Sequence, residues 1–300
     1  MADNVKNMSK EISKAMDGVI AKSEKIKLSK FATKMSVKEF ELYTSFIYNN
    51  FGMHITENKQ HMLELKIHRL VEANGYENYI DYFNMISTTK DQQKIIEFLN
   101  EITINKTDFF REINHFNFIK NSVDFIMKKN PRIEITKEIR VWSSACSTGE
   151  EPYTLAMILR EAFPENIRIR ILATDISHKA LKKAIEGRYG EEIKNQIDSY
   201  FLTKYFKKTA SGYEVKNEIK DMITFRAFNL KSTFPFKNGF DITFCRNVMI
   251  YFDKSFQEIL VEKFYHNLVH GGLFFIGHSE SLTYIKNRFK YLQPTIYIRE

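Results

Sequence analysis

Apolar positions in the first third of the chain recur at the helical spacing of three and four residues. One helix is expected to begin at Ser36–Glu39, where a serine hydroxyl and a glutamate carboxylate can cap the free N–H groups of its first turn. Its apolar face is then formed by Phe40, Tyr43, Phe46, Ile47 and Phe51. Similar patterns follow over residues 56–75, 79–83 and 95–99. The pattern predicts an all-helical N-terminal domain over residues 34–103.

The residues before this domain have a weaker pattern. Val5, Met8, Ile12, Met16 and Val19 share a helix-face spacing, but few aromatic residues accompany them. Such a helix could dock on the body of the protein, bind a partner or fray. We therefore predict an N-terminal extension over residues 1–33 that is either helical or disordered, and we favour disorder.

From about residue 139 the period changes to short apolar strands that alternate with amphipathic helices. The predicted strands are 139–143, 167–173, 240–244 and 273–276, and the predicted helices are 151–162, 177–185 and 253–269. The last strands, 291–292 and 295–298, could pair as a hairpin around Pro294. Residues 104–300 are therefore predicted to form a doubly wound, mostly parallel α/β sheet. Two-residue alternation over about 200–228 predicts a small antiparallel β insertion.

Composition and charge exclude several classes of protein. The chain of 300 residues has a formal net charge of +8, which permits an acidic partner, but its charges are interleaved without a long basic run. Two cysteines about a hundred residues apart rule out a disulfide scaffold and a thiolate zinc site. No apolar run is long enough to span a bilayer, and the N-terminus lacks a secretory signal. We expect a cytoplasmic protein without direct membrane insertion.

Candidate chemistry lies in the loops that follow the predicted strands, because ligands of open parallel sheets bind beyond the carboxyl ends of the strands. The loop after the first strand has one glycine and two glutamates, Glu150 and Glu151, which disfavour a bound pyrophosphate. Asp175 ends the second strand, where a carboxylate can accept both hydroxyls of a ribose. A ribose without pyrophosphate, together with an ammonium and a sulfonium, describes S-adenosylmethionine. The alternative is that neither residue binds a ligand. Glu151 would then only be an acidic residue in a first helical turn, and Asp175 would only cap the next helix.

Several motifs, taken in order, resemble the chemoreceptor glutamate methyltransferases of bacterial chemotaxis, the CheR family. They occur at residues 107–112, 141–153, 173–176, 228–230, 244–252 and 277–281. With the helical domain, the resemblance covers residues 36–300. It implies a class I methyltransferase fold whose doubly wound sheet binds S-adenosyl-L-methionine and releases S-adenosyl-L-homocysteine.

The resemblance also implies a set of cofactor-binding residues, namely Asn105, Thr107, Arg111, Glu150, Asp175, Asn229, Leu230, Arg246 and Asn247. In the family pattern the first three hold the methionine end, with Glu150 beside its charged groups. Asp175 takes the ribose, Asn229 and Leu230 take the adenine, and Arg246 and Asn247 close the pocket. Arg111 and Tyr251 lie near the transferred methyl group and are the candidate catalytic residues.

The implied substrate is the side-chain carboxylate of glutamates in the cytoplasmic helices of methyl-accepting chemoreceptors. A glutamate carboxylate is already ionised at neutral pH, so the transfer requires no general base. Some family members hold a C-terminal receptor pentapeptide on the β insertion. The turn at Lys207–Gly212 is short and poor in glycine. We therefore expect no pentapeptide tether.

Two other functions remain open from the sequence. A nucleic-acid methyltransferase of the same fold would suit the basic charge. However, an enzyme that methylates adenine amino groups would be expected to carry an Asp/Asn-Pro-Pro-Tyr-like loop where this chain has Cys245–Val248, so we expect no nucleic-acid partner. A non-catalytic S-adenosylmethionine sensor is the other alternative. No metal is expected, because His266 and His270 have ligand-like spacing but sit at a predicted helix end, where cationic side chains favour the helix dipole.

Overall fold

A computed structural model describes residues 34–300, so the predicted extension over residues 1–33 lies outside the described chain. The N-terminal part is helical. Its α-helices are α1 (Val37–Phe51), α2 (Gln60–Ala73), α3 (Tyr79–Thr88) and α4 (Gln92–Ile102), with a 3₁₀ turn at Glu57–Lys59.

The capping pattern at Ser36 forms as predicted. The Ser36 hydroxyl accepts a hydrogen bond from the Glu39 N–H at 3.3 Å, and the Glu39 carboxylate accepts one from the Ser36 N–H at 2.7 Å. Helix α1 ends at Gly52, whose φ of 77° is in the left-handed region. The apolar faces of the helices meet in one core that includes the fully buried Tyr43, Ile47 and Phe98.

The remaining chain forms strands and helices in alternation. Three helices come first: α5 (Asn114–Asn121), α6 (Val123–Lys129) and α7 (Arg132–Thr136). The central elements are β1 (Glu138–Ser143), α8 (Glu150–Ala162), β2 (Arg168–Asp175), α9 (His178–Glu186), β3 (Arg188–Tyr189), α10 (Ser199–Tyr205), β4 (Phe206–Thr209), β5 (Gly212–Val215), α11 (Asn217–Lys220) and β6 (Ile223–Ala227), with a 3₁₀ turn at Glu191–Asn195. The last elements are β7 (Phe240–Cys245), a 3₁₀ turn at Met249–Tyr251, α12 (Lys254–Asn267), β8 (Leu268–Ile276), β9 (Lys290–Gln293) and β10 (Ile296–Ile298).

The large sheet of the described chain has the strand order β6-β2-β1-β7-β8-β10-β9. Strand β1 pairs in parallel with both β2 and β7, so the chain reverses its winding direction between those neighbours. Strand β10 is antiparallel to β8 and β9, as the predicted hairpin requires. The predicted mostly parallel, doubly wound sheet is confirmed. Its reversal at β1 opens a crevice beyond the tips of β1 and β7.

The predicted β insertion differs from the structure at both ends. The small antiparallel sheet has the order β3-β5-β4 and spans residues 188–215. Residues 223–227, which we assigned to the insertion, instead form β6 and pair in parallel with β2, Ile171 opposite Ile223. Alternation of apolar residues indicates a strand without naming its partner, which is why the sequence pattern misplaced this strand. Likewise β8 begins at Leu268, where the helix pattern had been extended to Val269.

The two parts of the chain contact one another at the edge of this crevice. The backbone of Met53 forms a β-bridge with Phe252, and the His54 N–H donates to the Tyr251 carbonyl at 2.7 Å. The Lys231 ammonium donates to the carbonyls of Tyr48 and Asn49 in the last turn of α1, where positive charge is favoured by the helix dipole. The helical domain is thus tied to the loops that follow β6 and β7. No helix among the described residues has the length and apolar character needed to cross a membrane.

The first prediction concerns a buried carboxylate at the amino end of β7, at the end of the strand away from the pocket crevice. Asp241 in β7 is 1% exposed; it accepts hydrogen bonds from the Asn130 amide at 2.6 Å and the Arg140 N–H at 2.6 Å, and it pairs with the Arg132 guanidinium. Asp241→Asn removes the negative charge beside Arg132. It also replaces one carboxylate oxygen with an NH₂ group, which would face the N–H donors of the neighbouring residues. We expect a loss of about 2–4 kcal/mol in the free energy of unfolding, measured by urea titration.

The matched control is Glu134→Gln, a charge removal on the exposed face of α7. It should change the free energy of unfolding by less than about 0.5 kcal/mol. Equal stability of the two variants would show that the Asp241 network does not stabilise the fold.

Candidate active site

A pocket lies beyond the tips of the parallel strands, with a volume of about 1310 Å³ including its open mouth. Predicted site residues line it in nearly every case: Asn105, Thr107, Arg111, Asp175, Asn229, Leu230, Arg246, Asn247 and Tyr251. These residues come from four separate segments, which the sheet reversal brings together. The geometry therefore gathers the predicted set in one place, with the exception of Glu150.

Glu150 does not line the pocket, and its neighbour Glu151 does. The Glu150 carboxylate is turned back on its own loop, where it accepts the Thr148 hydroxyl at 2.6 Å, and it is only 6% exposed. Successive side chains on a helix point about 100° apart, so the two glutamates face in different directions. The expected role of Glu150 beside the charged groups of the cofactor stays a prediction.

Asp175 has the geometry of a hydroxyl-binding carboxylate. Its two oxygens accept hydrogen bonds from the Ser147 and Ser177 N–H groups, both at 2.8 Å, and each oxygen retains further acceptor capacity. Burial raises the pKa of Asp175, and the backbone donors oppose that rise by stabilising the ionised form. Helix α9 is capped by the Ser177 hydroxyl, which accepts from the Ala180 N–H. The N-cap of this helix is therefore Ser177 and not Asp175, which argues against the alternative that Asp175 only caps the helix.

Arg246 connects three loops of the pocket. Its guanidinium is 2% exposed and forms salt bridges of 3.0 Å with both Glu151 and Glu112. It also donates to the Arg111 carbonyl. Burial alone would raise the pKa of Glu112, but the Arg246 charge and hydrogen bonds from His278 and Asn247 hold it below its ordinary value. Arg246 therefore organises the wall of the pocket, with its charge already compensated by two carboxylates.

The side chains of Arg111 and Tyr251 have hydrogen-bonding capacity left for a ligand. The Arg111 guanidinium donates to the Lys106 carbonyl at 3.3 Å and, among residues 34–300, forms no salt bridge. It is therefore free to pair with a carboxylate. Burial raises the pKa of Tyr251, and the nearby Arg111 charge partly offsets the rise. The Tyr251 phenol is thus protonated at neutral pH and can donate a hydrogen bond.

The segment that carries Asn105, Thr107 and Arg111 crosses the pocket without helical structure. The Ser147 hydroxyl donates to the Asn105 carbonyl at 2.9 Å, which joins this segment to the loop after β1. On the opposite wall the Asn229 amide donates to the Asn50 carbonyl at 2.9 Å, and its oxygen accepts the Lys231 N–H. The Asn229 side chain is thus engaged in holding the two domains together, in addition to lining the pocket.

Several functional candidates escaped the sequence prediction. Glu112 and Glu280 accept hydrogen bonds from the loop after β7, and both lie within the motifs that pointed to the family. The helical domain also supplies part of the lining, which no motif indicated: Phe51, Met53, His54, Ile55, Lys59 and Met62. Burial lowers the pKa of Lys59. Only the packing of the two domains could reveal these contributions.

One cluster in the described chain has the composition of a metal site, namely Glu112, His115 and His278. Its carboxylate already accepts hydrogen bonds from Arg246, Asn247 and the His278 N–H. A cation would have to compete with the buried Arg246 guanidinium 3.0 Å away. The arrangement favours a network of hydrogen bonds over a metal centre.

Comparison with known proteins identifies the family. Residues 105–298 match the family described as "CheR methyltransferase, SAM binding domain", and residues 38–103 match "CheR methyltransferase, all-alpha domain". The chain belongs to the CheR methyltransferase family. The predicted class I methyltransferase fold and the predicted cofactor, S-adenosyl-L-methionine, are thereby confirmed.

Curated relatives of this CheR family chain include chemotaxis protein methyltransferases from several bacteria. The protein from Borreliella burgdorferi is 36% identical over 276 residues, which cover 90% of this chain and 97% of that protein. The protein from Escherichia coli is 31% identical and covers 88% of this chain and 91% of its own length. Chemotaxis protein methyltransferase 2 from Vibrio cholerae is 30% identical, over 84% and 88% of the two chains.

The residues of the pocket fit the cofactor of the CheR family. An acceptor pair at Asp175 suits the ribose hydroxyls, an unpaired guanidinium at Arg111 suits the carboxylate, and Leu230 with Phe228 and Val248 offers apolar surface for a base. The carboxylates near the first loop of this CheR domain also suit a ligand with cationic groups better than a diphosphate.

Gly149 in the CheR motif after β1 generates the second prediction. Its φ is +98°, and a Cβ at this position would lie 2.9 Å from both the Ala184 Cβ and the Tyr189 hydroxyl oxygen. Gly149→Ala should therefore displace the loop that carries Ser147, the partner of Asp175. We expect a loss of about 1–3 kcal/mol in stability and weaker binding of S-adenosylhomocysteine, measured by denaturation and calorimetry.

Gly75→Ala is the matched control, because Gly75 also has a positive φ of +73° but nothing lies within 4 Å of the added Cβ. It should reproduce the backbone cost without the steric cost, and its cofactor affinity should equal that of the wild type. Unchanged affinity in Gly149→Ala would contradict the assigned role of this loop.

Proposed function

We propose that this chain transfers a methyl group from S-adenosyl-L-methionine to glutamate side chains in the cytoplasmic helices of chemoreceptors. The product would be a glutamate methyl ester. The observation that carries the proposal is the placement of Arg111 and the Tyr251 phenol in one pocket with the predicted cofactor residues. The names of the relatives, chemotaxis protein methyltransferases, support the same substrate class.

The proposed methyl transfer requires little proton transfer by the protein. The cofactor supplies an electrophilic methyl group, and an ionised glutamate is already the nucleophile at neutral pH. We propose that Asn105, Thr107 and Arg111 hold the methionine end, with Glu150 beside its charged groups. Arg111 and Tyr251 would orient the incoming carboxylate. Their contribution is alignment and partial removal of water, which in well-oriented cases is worth roughly 7–11 kcal/mol of the barrier.

The part of the pocket lining that comes from the helical domain supports a protein helix as the substrate. Met53, Ile55 and Met62 contribute apolar side chains to it, while His54 and Lys59 contribute basic side chains. An amphipathic receptor helix whose exposed face carries glutamates has the complementary chemistry. We accordingly propose that the substrate helix contacts both domains, with the target glutamate reaching inward to Arg111.

We further propose that this enzyme acts without a pentapeptide tether and without a nucleic-acid partner. Strands β4 and β5 are joined by only two residues, Ala210 and Ser211, which supports the first part. The second part is supported by the loop after β7, which has the sequence Cys-Arg-Asn-Val at residues 245–248.

The test uses the full chain with methyl-labelled cofactor and a receptor cytoplasmic fragment, followed by mild alkali. Ester-linked label should leave as volatile methanol, and a fragment whose methylation-region glutamates are replaced by alanine should accept none. Parallel reactions contain DNA or RNA in place of the fragment. Alkali-stable label on nucleic acid would support a nucleic-acid enzyme. Calorimetric binding of S-adenosylhomocysteine without any transfer would support the sensor.

The Tyr251 phenol generates the third prediction. Tyr251→Phe removes one hydrogen-bond donor and keeps the ring, so binding of S-adenosylhomocysteine should persist. We expect kcat on the receptor fragment to fall by about tenfold at saturating cofactor, the equivalent of one lost hydrogen bond in the transition state. Tyr284→Phe is the control, since Tyr284 is 76% exposed and outside the pocket lining. If Tyr251→Phe leaves both kcat and KM unchanged, Tyr251 has no part in the transfer.

A further inference from the structure

The loop after β7 carries three predicted site residues, Arg246, Asn247 and Tyr251, and it is held by a buried carboxylate with no assigned role. We propose that Glu280 is a positioning residue that keeps this loop in the shape needed for cofactor binding and transfer, and that both weaken when its carboxylate loses its negative charge. The cofactor-binding half stands on the family's cofactor. The transfer half rests on the proposed function.

The contacts of Glu280 are all with backbone donors. One carboxylate oxygen accepts the Gly277 N–H at 2.6 Å and the Asn247 N–H at 2.9 Å, and the other accepts the Met249 N–H at 2.8 Å. Glu280 is 8% exposed and, within residues 34–300, forms no salt bridge. Its negative charge is therefore stabilised mainly by the loop that it holds, so the two depend on each other.

The loop has an uncommon backbone conformation that such a contact can hold. Asn247 has a φ of +56°, in the left-handed region that residues other than glycine adopt rarely and that asparagine tolerates best. The two loops also approach closely, since a Cβ on Gly277 would lie 2.5 Å from the Asn247 Nδ2 atom. On the other side, Glu112 accepts the Asn247 amide at 3.1 Å. Asn247 is thus held between two carboxylates from distant parts of the chain.

The two carboxylates respond differently to pH. Burial raises the pKa of Glu280 to about 7, and the three N–H donors only partly oppose it. Glu112 faces Glu280 and adds to the rise, but its own pKa is held low by Arg246, so it remains charged. Below pH 7 the Glu280 carboxyl gains a proton and one oxygen becomes a donor that faces N–H groups. The hold on the loop should therefore weaken as the pH falls.

Three other titratable groups near Glu280 stay neutral in this range. Burial raises the pKa values of the Cys245 thiol and the Tyr251 phenol, so both stay neutral. Burial also lowers the pKa of His115, which packs beside Glu112, to about 3, so it stays neutral as well. His278 lies in the same loop as Glu280, and the variant His278→Gln tests its contribution.

Glu280→Gln tests the proposal because glutamine has the shape of the protonated acid and cannot be ionised. At pH 8 it should bind S-adenosylhomocysteine about tenfold more weakly than the wild type, and kcat on the receptor fragment should fall at least as far. Wild-type affinity, measured by calorimetry from pH 6 to pH 8, should fall toward the variant's value as the pH decreases. The variant should show no such change.

Two controls separate this role from a general loss of structure. Glu134→Gln should retain the wild-type pH profile, and His278→Gln should retain the acidic decline in affinity, because its backbone N–H contact is preserved. A pH-independent wild-type affinity would overturn the proposal, as would a Glu280→Gln variant with the wild-type profile. Because binding is measured without substrate, these outcomes are distinct from a wild-type enzyme that fails to esterify the receptor fragment.

Discussion

The buried guanidinium of Arg246 is the interaction on which the pocket depends. It pairs with Glu112, which precedes the sheet, and with Glu151 in the first turn of the helix after β1, while its own backbone begins the loop after β7. A buried cation of this kind is tolerated only when its charge and donors are compensated, and here two carboxylates and a carbonyl do so. Three segments more than thirty residues apart are thereby fixed at one edge of the sheet.

This network explains how polar residues can be dense at the strand tips without disrupting the core. Phe116 and Phe244 stack beneath the Arg246 guanidinium, whose central carbon lies 5.5 Å and 5.6 Å from their ring centroids. The apolar layer excludes water from below, and this strengthens the ion pairs above it. Arg111, which lacks such compensation among the described residues, is correspondingly able to pair with an anionic group of a ligand.

The helical domain forms part of the pocket wall, in addition to preceding the sheet in the chain. Its link to the catalytic sheet runs through backbone contacts at Met53 and His54 and through the Asn229 amide. The loop that carries Asn229 and Leu230 is therefore held partly by the helical domain. A shift of the helical domain would change the position of this wall of the pocket.

The sequence by itself determined the helical and α/β character of the two halves, because capping residues and the period of apolar positions are local properties. It also determined that Asp175, Arg246 and Asn247 follow parallel strands, and hence that they meet at one edge. Pairing of strands is not local. The tertiary structure alone decided that residues 223–227 join β2, that Glu151 and not Glu150 faces the pocket, and that Glu280 holds the loop at Asn247. Each of those outcomes depends on which surfaces pack together across the sheet, and a pattern of residues along the chain does not contain that information.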